Sequence, residues 1–332
     1  MITCAAPVLA GESDRENQEL GTFTVKFEND LFKGTDQQYT NGVRASYLSP
    51  EGDQFEYLQF IRDGLELIAK PNQHTRFGVA FGQEIYTPED LNQTNIISDD
   101  RPYAGWLYGG ISLHTIRGSA NDPSYKSLES IEFDIGVVGP WALGQESQDF
   151  IHDVRGFDKF QGWDNQLNNE LGVLLLYERK WRLFDPTPIM GGMEFDFIPY
   201  AGGSIGNVLT HANIGGSARV GWNVPDDFGP PSLIHGGSPV DKSFDNKIGF
   251  YLYATTEGRI VVRNIFLDGN SFSDSHSVDK KTFVGDLSLG AVFQYKRFKL
   301  SYANVLRSKE FDEQDDAARF GSLTASFQAF TW

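Results

Sequence analysis

The chain has 332 residues, with 35 Gly, 26 Phe and 13 Tyr, and a formal net charge of −17. So acidic a chain lacks the basic patches that release counterions from nucleic acid, but it leaves divalent cations as partners. The single cysteine, Cys4, excludes an internal disulfide, and no apolar run reaches the roughly 18 residues of a membrane helix. A membrane protein without such runs is a closed barrel.

Residues 1–20 read either as the remnant of a secretory signal, through Ala5-Ala6-Pro7-Val8-Leu9-Ala10, or as a disordered polar tail. Ile2-Thr3-Cys4 fits a lipobox poorly. Residues 21–332 carry one repeated pattern: stretches of about ten residues with period-two alternation. Phe23, Val25 and Phe27 alternate with Thr22, Thr24, Lys26 and Glu28. Val43, Ala45 and Tyr47 alternate with Arg44 and Ser46. Phe77, Val79 and Phe81 alternate with Gly78, Ala80 and Gly82. Ile131, Phe133 and Ile135 alternate with Glu132 and Asp134. One face suits lipid and the other a polar, hydrated interior.

The predicted strands are 22–29, 41–49, 74–85, 103–116, 127–138, 169–183, 192–204, 212–224, 246–258, 259–268, 281–296, 297–306 and 318–332. Bacterial barrels close with an even number. One adjacent pair after residue 246 therefore counts as a single long strand, giving about twelve. The fold class is all-β, a closed antiparallel transmembrane β-barrel with short helices in its loops. The chain ends Phe327-Gln328-Ala329-Phe330-Thr331-Trp332, similar to the terminal aromatic signal of outer-membrane barrels. Residues 55–70 have helical spacing (Tyr57, Leu58, Ile61, Leu65, Ile68). Residues 145–155 lack strand period, and Phe150, Ile151 and Val154 share a helical face.

With both termini periplasmic, segments 30–40, 86–102 and 139–168 open on the outer rim, where topology brings them together. They concentrate carboxylates and amides around one of six histidines, His152. Gln148 lies one helical turn before it, on the same face. A neutral imidazole there can take a proton from water. Asn29, Asp30 and Thr40 supply only oxygen and amide groups, which suit calcium or magnesium rather than zinc. The bland alternative is that these Asx residues simply make turns. Alternation puts Asn29 on the lipid face, so either the first strand ends by Glu28 or the site sits on the barrel's outer wall.

These motifs resemble the outer-membrane lipid A 3'-O-deacylase family, LpxR. The resemblance is carried by Phe27-Glu28-Asn29-Asp30 with Tyr39-Thr40-Asn41-Gly42, and by Arg101-Pro102-Tyr103-Ala104-Gly105-Trp106. It continues in Asp134-Ile135-Gly136-Val137-Val138-Gly139-Pro140, Gly144-Gln145-Glu146-Ser147-Gln148 with His152, and Gly162-Trp163-Asp164-Asn165-Gln166-Leu167. It implies a calcium-dependent carboxylic ester hydrolase of the bacterial outer membrane, acting on lipid A in lipopolysaccharide. By that resemblance His152 is the general base, Gln148 and Asn29 are catalytic helpers, and Asp30 and Thr40 are metal ligands. Asp158 stands where the family carries Glu, one methylene longer, as a supporting group. Water is the expected nucleophile, activated by His152. Two other classes stay open: a non-enzymatic barrel (a porin or surface-binding protein) and a barrel phospholipase.

Overall fold

Strict alternation of apolar and polar residues over nine to sixteen positions is what a strand between lipid and a protein interior requires. The computed structural model forms strands at those stretches. It describes residues 21–29, 38–50, 75–90, 92–118, 126–156, 158–230 and 248–329. The tail 1–20, the loop helix expected at 55–70, Asp30 and the terminal Phe330-Thr331-Trp332 lie outside the described residues.

The strands are β1 Gly21–Asn29, β2 Gln38–Leu48, β3 Thr75–Thr87, β4 Ala104–Gly118, β5 Lys126–Val138, β6 Glu170–Arg182, β7 Thr187–Pro188, β8 Glu194–Gly206, β9 Leu209–Trp222, β10 Gly249–Asn264, β11 Phe283–Tyr295, β12 Phe298–Arg307 and β13 Ala318–Ala329. β7 is only a two-residue ribbon on β8. The other twelve run antiparallel, each beside its sequence neighbour. The barrel closes twice over. β1 pairs with β13 from Gly21↔Ala329 to Asn29↔Gly321, and β6 pairs with β8 from Leu174↔Gly206 to Lys180↔Tyr200. A closed ring leaves no unpaired edge in lipid. The expected strands 246–258 and 259–268 are one strand, β10, followed by the short helix α2, Ile265–Asp268.

The outward face is apolar: Phe23, Val25, Phe81, Ile135, Leu171, Leu252 and Leu289 are all exposed. The inward face differs from the expected hydrated lumen. Toward the outer end it is filled by an apolar cluster that includes Tyr86, Trp106, Tyr108, Leu174, Phe266 and Phe320. Trp106 stacks on Tyr108 at 4.2 Å and Tyr86 on Phe266 at 4.0 Å. Ion pairs occupy the remaining interior, among them Arg44–Glu132 at 2.6 Å, Arg219–Asp196 at 2.5 Å, Lys299–Asp227 at 2.7 Å and Arg259–Asp286 at 2.5 Å. The alternation was read correctly, and inward charges such as Arg44 and Glu132, or Arg259 and Asp286, pair with one another.

Candidate active site on the outer wall

The connection between β5 and β6 builds the site. Gly139 at φ 97° and Leu143 at φ 57° turn the chain sharply around a 3-10 turn, Pro140–Ala142. Helix α1, Gly144–Arg155, follows. Its sequence has no interior Gly or Pro, an acidic Glu146 in the first turn and His152 and Arg155 in the last, in keeping with the helix dipole. Gly156, at φ 72°, ends it with an N–H donated to the His152 carbonyl.

The helix lies on the outside of the barrel wall, against β3 and β4. Contact is close because two glycines face each other. A Cβ on Gly105 would stand 3.2 Å from the Gly144 Cα and 3.1 Å from the Ala142 Cβ. Gln83, on the outer face of β3, donates from Nε2 to the carbonyls of Ala142 at 2.6 Å and Leu143 at 3.2 Å. Asn169 accepts from the Trp141 N–H at 2.7 Å.

This placement resolves the register difficulty at Asn29. Across β1 to β4 the aligned outer-face residues are Asn29, Asn41, Ile85 and Gly105. Nearer the membrane, Val43, two residues from Asn41, and Phe81, four residues from Ile85, are exposed, whereas Asn29, Asn41 and Ile85 are each no more than 5 % exposed. Ile85 packs in a cluster with Tyr103, Phe160 and Trp163. Asn29 therefore does face outward, and it is nevertheless covered. Thr40 is the bulged residue of β2: Tyr39 pairs with Tyr86 and Asn41 with Ile85, and Thr40 is opposite neither.

His152 and Gln148 share the buried face of α1, at 4 % and 3 % exposure. His152 Nδ1 lies 2.6 Å from the Asp158 carbonyl oxygen. A carbonyl only accepts, so Nδ1 carries the hydrogen, and in the neutral ring Nε2 carries the lone pair. The ring meets Phe160 edge-on at 5.8 Å. Trp163 donates from Nε1 to Gln148 Oε1 at 2.8 Å. Indole only donates, which fixes the amide's orientation. Gln148 Nε2 is then a buried donor with no hydrogen-bond partner among the described residues. Asn41 Oδ1 is likewise a buried acceptor with none. Tyr103 braces this floor, with its ring 5.1 Å from Trp163, and burial raises its hydroxyl to about 12.

A family model for "Outer membrane protein LpxR" matches residues 1–329. The chain belongs to the LpxR family. It is an outer-membrane protein with the barrel expected of one. Among solved structures, LpxR from Salmonella typhimurium superposes with a TM-score of 0.72 at 19 % identity, covering 93 % of this chain and all of that one. At that identity the likeness establishes the fold. The β domain of the Bordetella autotransporter BrkA gives 0.48 at 8 % identity, over 95 % of this chain and all of that one. No curated protein sequence matches the chain.

Of the residues singled out in this LpxR family member, His152 and Gln148 come together on one buried helix face. Asn29 lies on the same outer wall of the barrel, and Thr40 is the bulged backbone position of β2 next to Asn41. Asp30 is outside the described residues. Asp158 contributes differently from expectation: its backbone carbonyl holds His152, while its side chain is at an exposed position. That makes the one-methylene difference from Glu immaterial to this contact. Sequence reasoning assigned no role to Gln83, Trp163 or Asn41. Trp163 and Asn41 stood within the matching motifs, whereas Gln83 looked like any outward position of β3. Among the described residues no group of three or more His, Cys, Asp and Glu is placed to hold a metal.

Proposed function

We propose that this protein is a lipid A deacylase of the outer membrane, hydrolysing an ester-linked acyl chain of lipopolysaccharide, the 3'-O chain by family resemblance. One observation carries the reading. A buried histidine, with its tautomer set by a backbone carbonyl, sits beside a buried amide donor that has no partner among the described residues, on the lipid side of the barrel wall. A site facing outward at the rim meets a lipid of the outer leaflet, not a solute in a lumen.

The chemistry follows from these groups. His152 Nε2 removes a proton from water as its oxygen attacks the ester carbonyl carbon. The Asp158 carbonyl steadies the imidazolium that forms, through Nδ1–H. Gln148 Nε2 is the donor for the developing oxyanion. His152 then returns the proton to the departing sugar oxygen, which leaves a fatty acid and a free hydroxyl. Trp163 keeps the Gln148 amide turned so that its donor, not its acceptor, faces the reaction.

Calcium belongs to the same proposal. Asn41 Oδ1, buried without a partner among the described residues next to Asn29 across β1 and β2, fits a hard cation that takes oxygen ligands. Asp30, Thr40, Asn29 and Asn41 would hold it. When bound, it supplies a Lewis acid for an ester carbonyl.

The test is purified protein with lipopolysaccharide in mixed micelles and calcium, read by fatty-acid release. Hydroxy fatty acid appearing with wild type but not with His152→Asn supports the reading. Release from glycerophospholipid alone would make the protein a phospholipase. Release from neither would return it to a binding barrel.

A further inference from the structure

Helix α1 carries more than the two groups the chemistry uses. At about 100° per residue, Gln148 and His152 point to the wall. Asp149, Asp153 and Glu146 form a second stripe about 100–160° around the axis. Leu143, Phe150 and Val154 form a third, at about 200–240°. Leu143 belongs to the helical frame because its carbonyl accepts from the Ser147 N–H at 3.1 Å. That third stripe is bare: Leu143, Phe150 and Val154 are 49 %, 69 % and 71 % exposed. Trp141, in the preceding turn, is 70 % exposed. Large apolar side chains grouped beside an acidic stripe are costly in water, and they mark a binding surface.

The surface continues one already assigned. Gln83, which holds the carbonyls of Ala142 and Leu143, is two residues from the lipid-facing Phe81 on β3. Asn169, which holds the Trp141 N–H, is two residues from the lipid-facing Leu171 on β6. Both anchors thus stand one outward position, about 7 Å, above the barrel's apolar band.

We propose that Trp141, Leu143, Phe150 and Val154 insert among the acyl chains of the outer leaflet, making α1 an interfacial helix that lies in the membrane surface. Its acidic stripe faces water and its catalytic stripe faces the wall. The helix then roofs a cleft whose floor is the barrel wall and whose mouth opens into the acyl layer. A membrane lipid reaches His152 by sliding along the barrel's surface, with its ester at the depth where the chains begin. An amphipathic helix with one apolar and one charged face takes this position in a bilayer. The functional half of this inference rests on the deacylase reading, and the membrane half does not.

The test separates the two. In a Cys4→Ser background, Phe150→Cys, Val154→Cys and Asp153→Cys are each labelled with an environment-sensitive fluorophore. The protein is reconstituted in vesicles of phospholipid and lipopolysaccharide. Labels at 150 and 154 should be quenched by spin-labelled lipid and shielded from aqueous iodide, with the reverse at 153. Equal iodide quenching at all three positions, without lipid quenching, would overturn the proposal whatever the activity. The double variant Phe150→Ser/Val154→Ser should cut kcat/KM on vesicle-borne lipopolysaccharide on the order of tenfold, with hydrolysis of a short-chain soluble ester unchanged. An equal loss on both substrates would mean that the stripe supports the helix's own structure and would also overturn the proposal. A wild type that hydrolyses nothing, with the labelling pattern intact, would remove the deacylase reading and leave the interfacial helix standing.

Discussion

Replacing His152 by asparagine is the sharpest perturbation of the proposed chemistry. The asparagine amide nitrogen occupies the place of Nδ1, so the hydrogen bond to the Asp158 carbonyl can be kept. The Nε2 lone pair is lost. General-base catalysis contributes about 10²–10⁴-fold, which corresponds to about 2.7–5.4 kcal/mol of barrier. The structural cost is smaller. The edge-on contact with Phe160 is forfeited, on the order of 0.5–1.5 kcal/mol, from a loop helix outside a twelve-stranded barrel. Fatty-acid release from lipopolysaccharide should therefore fall by at least two orders of magnitude, while the unboiled protein keeps its folded migration on a denaturing gel. His152→Gln retains the bulk but sets an amide donor near the Nε2 position, and it should be equally inactive. Wild-type turnover in His152→Asn would refute the assignment of the base.

Gln148→Ala removes the unpaired donor but admits a water in its place, so the expected loss is less than at His152, roughly tenfold and mainly in kcat. Gly105→Val adds side-chain atoms where only 3.2 Å separates its Cβ position from the Gly144 Cα. It should lift α1 from the wall and abolish hydrolysis without altering heat-modifiable migration. Chelation should stop turnover. Asp30→Ala and Asn41→Leu should each weaken calcium binding in a titration with the barrel intact, and full activity in excess chelator would remove the metal from the mechanism. The rim has a pH dependence of its own. Burial alone would raise the Glu310 carboxyl, but Arg307 and Arg101 outweigh it and hold the group below its ordinary 4.5. Its stabilising contribution is complete above that value and is lost as pH falls through the depressed folded value. Glu310→Gln should flatten the acid limb of amide-exchange protection in segment 88–103, where Arg101 pairs with Glu310 at 2.9 Å.

Alternation located the barrel strands because lipid on one side and packed protein on the other force period two along every crossing. It failed at β10, where the sequence divided one strand in two. The mixed polarity around Thr256-Glu257-Gly258-Arg259 looks like a turn, but Thr255, Glu257 and Arg259 point inward, where Arg259 meets Asp286. The interior was misjudged for the same reason: composition shows which positions face inward and not whether charges there meet water or each other. The helix with Gln148 and His152 was legible from spacing. The Asp158 contact was not, because a backbone carbonyl leaves no signature in residue type. Alternation did put Asn29 on the outer face, but only the fold shows that this stretch of wall is covered. Phe150, Ile151 and Val154 were read as one helical face; of these Phe150 and Val154 are exposed, and their meaning depended on knowing which side of α1 rests on the wall.

Mass spectrometry of lipid A from cells that do and do not carry this protein addresses the central claim most directly. Cells carrying the wild type should contain a lipid A species lighter by one ester-linked acyl chain, absent from cells carrying His152→Asn at equal abundance in the outer membrane. Identical lipid A spectra from all three strains, with the barrel folded and calcium present, would contradict that claim.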